Sequence, residues 1–176
     1  MRVPLWTPEQ AQRDPGLVAA IELRRGGQLL NLDRMLLWSE PLARSWNVFL
    51  RTLRQELSLS PKLRELVICV VARATRADYE FQHHAPEFEK AGGSVAQVAA
   101  LRDPDKAAAS PLFDALEQDV IRYALASTRD LSIPDALGDA LSRRLAPTEL
   151  VELAAVVAGY NMVARFLLAL KVPPET

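Results

Sequence analysis

Seven consecutive apolar residues, Leu66 to Ala72, constrain this chain more than any other feature. They lie inside a segment with a marked helix start, where Ser60 offers a capping hydroxyl and Pro61 suits the first helical position. A helix with no polar face at its middle must be wrapped by other elements. The segment from Pro61 to about Arg76 is therefore expected to be a central helix. Its surroundings should be helical too, because Ala and Leu dominate and no strand-type alternation stands out.

Punctuation organises the rest. Residues 8 to 25 predict one amphipathic helix, broken or kinked near Pro15-Gly16 and ended by Gly26-Gly27. A short helix is expected over Asp33 to Trp38. A longer one follows Pro41, with Leu42, Trp46, Phe49, Leu50 and Leu53 on one stripe. Asp78 can cap a helix from Tyr79 to Ala91 that Gly92-Gly93 terminates, and Pro86 should kink it or perturb its first turns. Ser94 caps a short helix to Leu101, and residues 102 to 110 form a loop. Pro111 opens a helix to about Ala126, Ser132 caps another to Leu145, and Pro147 opens the last, to about Leu170. The expectation is an all-α bundle of about eight helices. It reads as one domain over 1–176, with 1–40 as a helical extension and 41–170 as the core. Leu63-Arg64-Glu65-Leu66 and Leu150-Val151-Glu152-Leu153 echo each other faintly, each after a proline, as two helices packed together would.

Net charge is −1, which recruits neither nucleic acid nor an anionic membrane. The single cysteine, Cys69, excludes an intrachain disulfide framework and fits a reducing compartment. No apolar signal core follows the single Arg of the first residues, so a soluble, cytoplasmic protein is expected. The apolar stretch from Leu150 to Leu170 is interrupted by Glu152, Asn161 and Arg165. It reads as a helix buried in a core or a subunit interface rather than a membrane span.

Chemistry concentrates in Tyr79-Glu80-Phe81-Gln82-His83-His84, which holds the chain's two histidines. Glu80 and His84 are four apart and share a helix face. If the preceding helix folds back as a hairpin, Glu65 returns alongside them, on a stripe that continues through Cys69 to Arg73 and Arg76. A carboxylate orients an imidazole and raises its basicity while the ring titrates near neutrality, which suits proton transfer. The same spacing also makes solvated ion pairs worth only a few tenths of a kcal/mol. A metal would take Glu80 and His84 with Glu65 as a third ligand, but adjacent histidines diverge by about 100° and rarely share an ion. No metal site is assigned.

The stretch from Leu59 to Ala72 followed by Asp78 to His84 resembles the carboxymuconolactone decarboxylase family, of the alkylhydroperoxidase D-like superfamily. The similarity continues through Ala91-Gly92 and Val98 to Leu101. It returns at Leu150 to Leu153 and Tyr160 to Phe166, spanning roughly residues 40 to 170. The resemblance implies an all-helical bundle assembled as trimers, or as hexamers built from them. It implies one of two activities, decarboxylation of a lactone acid or peroxide reduction through a Cys-x-x-Cys pair with a Glu/His relay. Residue by residue, the relay glutamate falls on Glu65 and the histidine on His84, while the cysteine positions fall on Ala77 and Glu80. Dithiol turnover is therefore not expected, since a peroxidatic thiolate needs a resolving partner.

The expectation is a carboxy-lyase acting on a small unsaturated lactone acid or related organic acid, without a cofactor. Glu65, Glu80 and His84 would be catalytic, with His84 the proton donor oriented by Glu80. His83, Arg73 and Tyr79 are the candidate substrate-binding residues, with Arg76 an alternative to Arg73, and Trp38 and Trp46 are candidate pocket walls. Asn161, buried in the last helix, needs a partner that an interface or the site could supply. The alternatives are an antioxidant peroxidase, for which only Cys69 is available, and a non-catalytic oligomeric scaffold or binding protein.

Overall fold

The computed structural model describes residues 1–175. It contains ten helices and no strand among the described residues. These are α1 (Pro15–Arg25), α2 (Asn31–Leu36), α3 (Glu40–Gln55), α4 (Pro61–Thr75), α5 (Asp78–Lys90), α6 (Val95–Ala100), α7 (Pro104–Ala107), α8 (Ala115–Arg129), α9 (Asp135–Ser142) and α10 (Pro147–Leu170).

The apolar run sits at the centre, as its lack of a polar face requires. Ser60 accepts a hydrogen bond from the Leu63 amide, Pro61 opens α4, and every residue from Leu66 to Ala72 is buried. Helices α5, α8 and α10 pack around it, and α3 lies against α10. Each fully buried Leu or Ile side chain stabilises the fold by about 1.5–3 kcal/mol, so this wrapping is the main support of the bundle. Arg76 ends α4 in the left-handed region at φ 60°. Helix α10 is long and apolar enough to cross a membrane by composition, but half of its most apolar window is buried inside the bundle.

The echoing helices α4 and α10 do pack together, yet their glutamates diverge. Glu65 is buried, whereas Glu152 accepts from the Ser58 hydroxyl at 2.9 Å and the Leu59 amide at 2.7 Å, tying the turn between α3 and α4 to α10. Asn161 is satisfied within the bundle. Its amide donates to Thr128 Oγ1 at 2.9 Å and to the Val157 carbonyl at 3.0 Å, so it fixes α10 to α8 and does not reach the site.

Several boundaries differ from expectation for local reasons. Helix α1 begins only at Pro15, because Asp14 is held extended before a proline and its carboxylate accepts from the Gly16 amide. Helix α8 starts at Ala115 rather than Pro111, since Asp114 and Glu117 form a reciprocal capping box. Ser132 caps nothing. Ile133 precedes Pro134 and is pushed out of the helical region, so α9 starts at Asp135. The loop over 102–110 contains the one-turn α7, capped by Asp103. Asp78 is the first residue of α5 rather than its cap. Helix α5 runs unbroken through Pro86, because Gln82, whose carbonyl loses its partner, lies with Pro86 on the exposed face where water can bond it.

The N-terminal residues are joined to the core. Asp33, buried on α2, receives Arg25 Nε at 2.9 Å and Arg24 Nη2 at 3.3 Å, which locks α1 against α2. Arg24 is pushed down to about 10, chiefly by burial, with Arg25 beside it adding to the effect and Asp33 opposing it.

Candidate active site

Helices α4 and α5 form the hairpin that the sequence spacing anticipates, and it brings three ionisable groups together. His84 Nδ1 lies 2.7 Å from Glu65 Oε2, and its Nε2 lies 3.4 Å from Glu80 Oε2. All three side chains are buried. The first contact is a short charge-assisted hydrogen bond, while the second is too long to be strong. Tyr160 of α10 meets the imidazole edge-on at 5.0 Å between ring centres.

Burial alone would favour neutral forms for both Glu65 and His84. The contact between them wins. Desolvation is the largest influence on Glu65, but the hydrogen bond and charge of His84 hold it below its ordinary value. Desolvation likewise opposes a charge on His84, yet the two carboxylates raise it above its ordinary value. The pair thus favours the charged form of each partner, against the pull of burial.

This triad backs a cleft of about 230 Å³. Glu80 and His84 line the cleft and Glu65 stands behind them. That reverses the expected division of labour, for Glu65 is the tight orienting partner and Glu80 the group at the wall. Both ring nitrogens face opposing carboxylates, and no three metal-binding side chains converge among the described residues.

The remaining candidates separate cleanly. His83 and Tyr79 line the cleft, stacked at 4.4 Å. Both are held by Glu175, which accepts from the Tyr79 hydroxyl at 2.8 Å and lies 3.0 Å from His83 Nε2. Arg73 does not line the cleft. Its Nη1 pairs with Asp78 at 2.8 Å and its guanidinium lies over the Phe81 ring at 5.3 Å, so local partners at the helix end hold it elsewhere. Arg76 is exposed at the end of α4. Trp46 is a wall of the cleft; Trp38 is not, its indole N–H donating to the Pro4 carbonyl at 2.7 Å. Cys69 is fully buried, and burial, then the charges of Glu65 and Glu80, push its thiol up.

Sequence reasoning missed the arginines. Arg24, Arg25, Arg51 and Arg54 line the cleft, contributed by α1 and α3. One signal could have found Arg54, which continues the Trp46–Leu50 stripe by four more residues and so belongs to the inward face of α3.

Residues 40–126 match the model described as the carboxymuconolactone decarboxylase family. The whole fold is similar to solved structures at low identity. An uncharacterized peroxidase-related protein from Silicibacter sp. aligns at TM-score 0.80 and 19% identity, covering 98% of this chain and 93% of that one. A second, from Ralstonia eutropha and described as an alkylhydroperoxidase AhpD core, aligns at TM-score 0.82 and 13% identity over 99% of this chain and 92% of that one. A cysteine-to-alanine variant of the debrominase Bmp8, in complex with 2,3,4-tribromopyrrole, aligns at TM-score 0.81 and 16% identity over 100% and 92%. No protein of curated function matches the sequence. By the match over residues 40–126 and by its alkylhydroperoxidase D-like fold, the chain belongs to the carboxymuconolactone decarboxylase family, in a form whose only thiol is the buried Cys69.

Proposed function

We propose that the protein is a cofactor-independent carboxy-lyase that uses His84 to protonate carbon after loss of carbon dioxide from a small unsaturated lactone acid or related acid. The observation that carries this reading is the imidazole of His84, fixed by Glu65 at 2.7 Å and presented at the wall of a cleft rich in arginine.

In this reaction the bond between the substrate carbon and its carboxylate breaks, and the electron pair moves into a conjugated carbonyl as a dienolate. His84 then donates its Nε2 proton to carbon, forming the new C–H bond. Glu65 holds the ring in one orientation and stabilises its charged form before donation. Glu80, close to Nε2, relays a proton from water back to the imidazole. The two carboxylates raise His84 above its ordinary value, which favours the charged donor. A debrominase of similar fold is in complex with 2,3,4-tribromopyrrole, a small flat ring, and a lactone acid is a small flat ring too. Peroxide reduction through Cys69 is disfavoured, because a thiol sealed from solvent with a raised pKa is a poor nucleophile.

The test is turnover of unsaturated lactone acids followed by carbon dioxide release. His84→Gln should abolish it while circular dichroism stays unchanged. If the wild type consumes no such acid, the chain is a binding scaffold and the lyase reading fails. We also take the chain to be a cytoplasmic homo-oligomer, a trimer or hexamer. Val48 and Phe49 on α3 and Met162 and Leu168 on α10 leave large apolar groups exposed, as a subunit contact would use. Light scattering giving a monomer mass would refute the assembly.

A further inference from the structure

Of the ionic groups lining the cleft, all but one have an oppositely charged partner within ion-pair distance among the described residues. Arg24 and Arg25 pair with Asp33, Arg51 with Glu56 at 2.9 Å, and Glu87 with Lys90 at 2.7 Å. His83 meets Glu175, and Glu80 meets His84. Arg54, half-buried in the wall, is the ionic group lining the cleft that has no counter-charge within ion-pair distance among the described residues. Two turns earlier on the same face, Trp46 also lines the cleft, and its buried indole N–H has no acceptor among the described residues. A buried donor left unpaired costs about 1–3 kcal/mol, so it is exceptional in a native fold.

We propose that Arg54 and Trp46 form the anion subsite of this cleft, holding a substrate carboxylate that the reaction retains. The guanidinium supplies the charge and a planar pair of donors, and the indole N–H supplies a further donor. The carboxylate that is lost cannot be the one held there, since binding the ground-state anion more tightly than the transition state would slow its departure. The substrate class is therefore a small unsaturated acid with an anionic group remote from the bond that breaks. This rests on reading the cleft as the substrate site, but the subsite itself can be tested without turnover.

The probe is 2-furoate, titrated calorimetrically against its neutral isostere 2-furamide. Wild type should bind furoate more tightly by about tenfold, the factor that one charge-assisted hydrogen bond supplies. Arg54→Gln should erase that preference and Arg54→Lys should keep part of it, whereas Trp46→Phe should weaken furoate and furamide alike several-fold, since both present an oxygen to the indole N–H. Furoate binding no better than furamide, or not at all, overturns the subsite, and so does an Arg54→Gln protein that binds furoate like wild type. A furoate preference intact in a protein that decarboxylates nothing leaves the subsite standing and removes only the lyase reading.

Discussion

Replacing Glu65 by glutamine tests the one interaction on which the chemistry depends. The substitution keeps size and a hydrogen-bonding oxygen but removes the charge 2.7 Å from His84 Nδ1, at a place where both side chains are buried. A buried hydrogen bond between charged groups contributes about 1.5–3 kcal/mol. Truncation to alanine would leave the imidazolium facing a void, at about 3–5 kcal/mol. Glutamine lets the ring deprotonate instead, so a loss of about 2 kcal/mol is expected. The loss has a pH window. His84 lies above its ordinary 6.5 in the folded protein, so its contribution is complete below that value and fades as pH rises through the raised one. Glu65 lies below its ordinary 4.5, so its contribution is complete above that value and fades as pH falls through the lowered one. The deficit of the variant should therefore be largest between 4.5 and 6.5 and should narrow toward alkaline pH. With only two histidines in the chain, NMR titration can follow His84 directly. In Glu65→Gln the ring should titrate lower than in wild type, since burial is then opposed mainly by Glu80 at 3.4 Å. A wild-type His84 that titrates below 6.5, or one that Glu65→Gln leaves unmoved, would refute the reasoning.

Three further outcomes follow from packing. Asp33→Asn strips the charge that faces two largely buried arginines and should cost about 3 kcal/mol, visible as an early loss of α1 protection in hydrogen exchange; unchanged protection would contradict the locking role. Gly93→Ala would set a methyl 2.6 Å from the fully buried Phe88 ring, so a loss of about 1–3 kcal/mol in urea unfolding is expected, and an unaltered midpoint would show that the ring can yield. Cys69 should react with an aromatic disulfide reagent only as the protein unfolds, at the unfolding rate; rapid labelling of the native chain would show that the thiol is reachable.

How much of this was legible in the sequence depends on how local its cause is. The burial of α4 could be read from Leu66 to Ala72 because a helix with no polar face has no other option. The approach of Glu65 to His84 was legible too, since consecutive helices joined by a tight turn pack as a hairpin. Pro111 and Ser132 misled because a proline or a serine marks a possible start, and the capping box at Asp114 and the restriction before Pro134 decided the actual one. Arg73 misled for a similar reason, as its stripe was right but Asp78 at the neighbouring helix end took its charge. Of the cleft's wall, Trp46, Tyr79 and His83 were legible, but the arginines of α1 and α3 and the hold of Glu175 on Tyr79 come across long stretches of chain that no periodicity records. Periodicity reports which face of a helix turns inward, not whether core or cavity waits there. On α3 the inward stripe runs Trp46, Leu50, Arg54, and a guanidinium on such a stripe breaks the local rule for a buried face. A break of that kind without a compensating carboxylate is what a binding site leaves in a sequence, because the compensation arrives with the ligand.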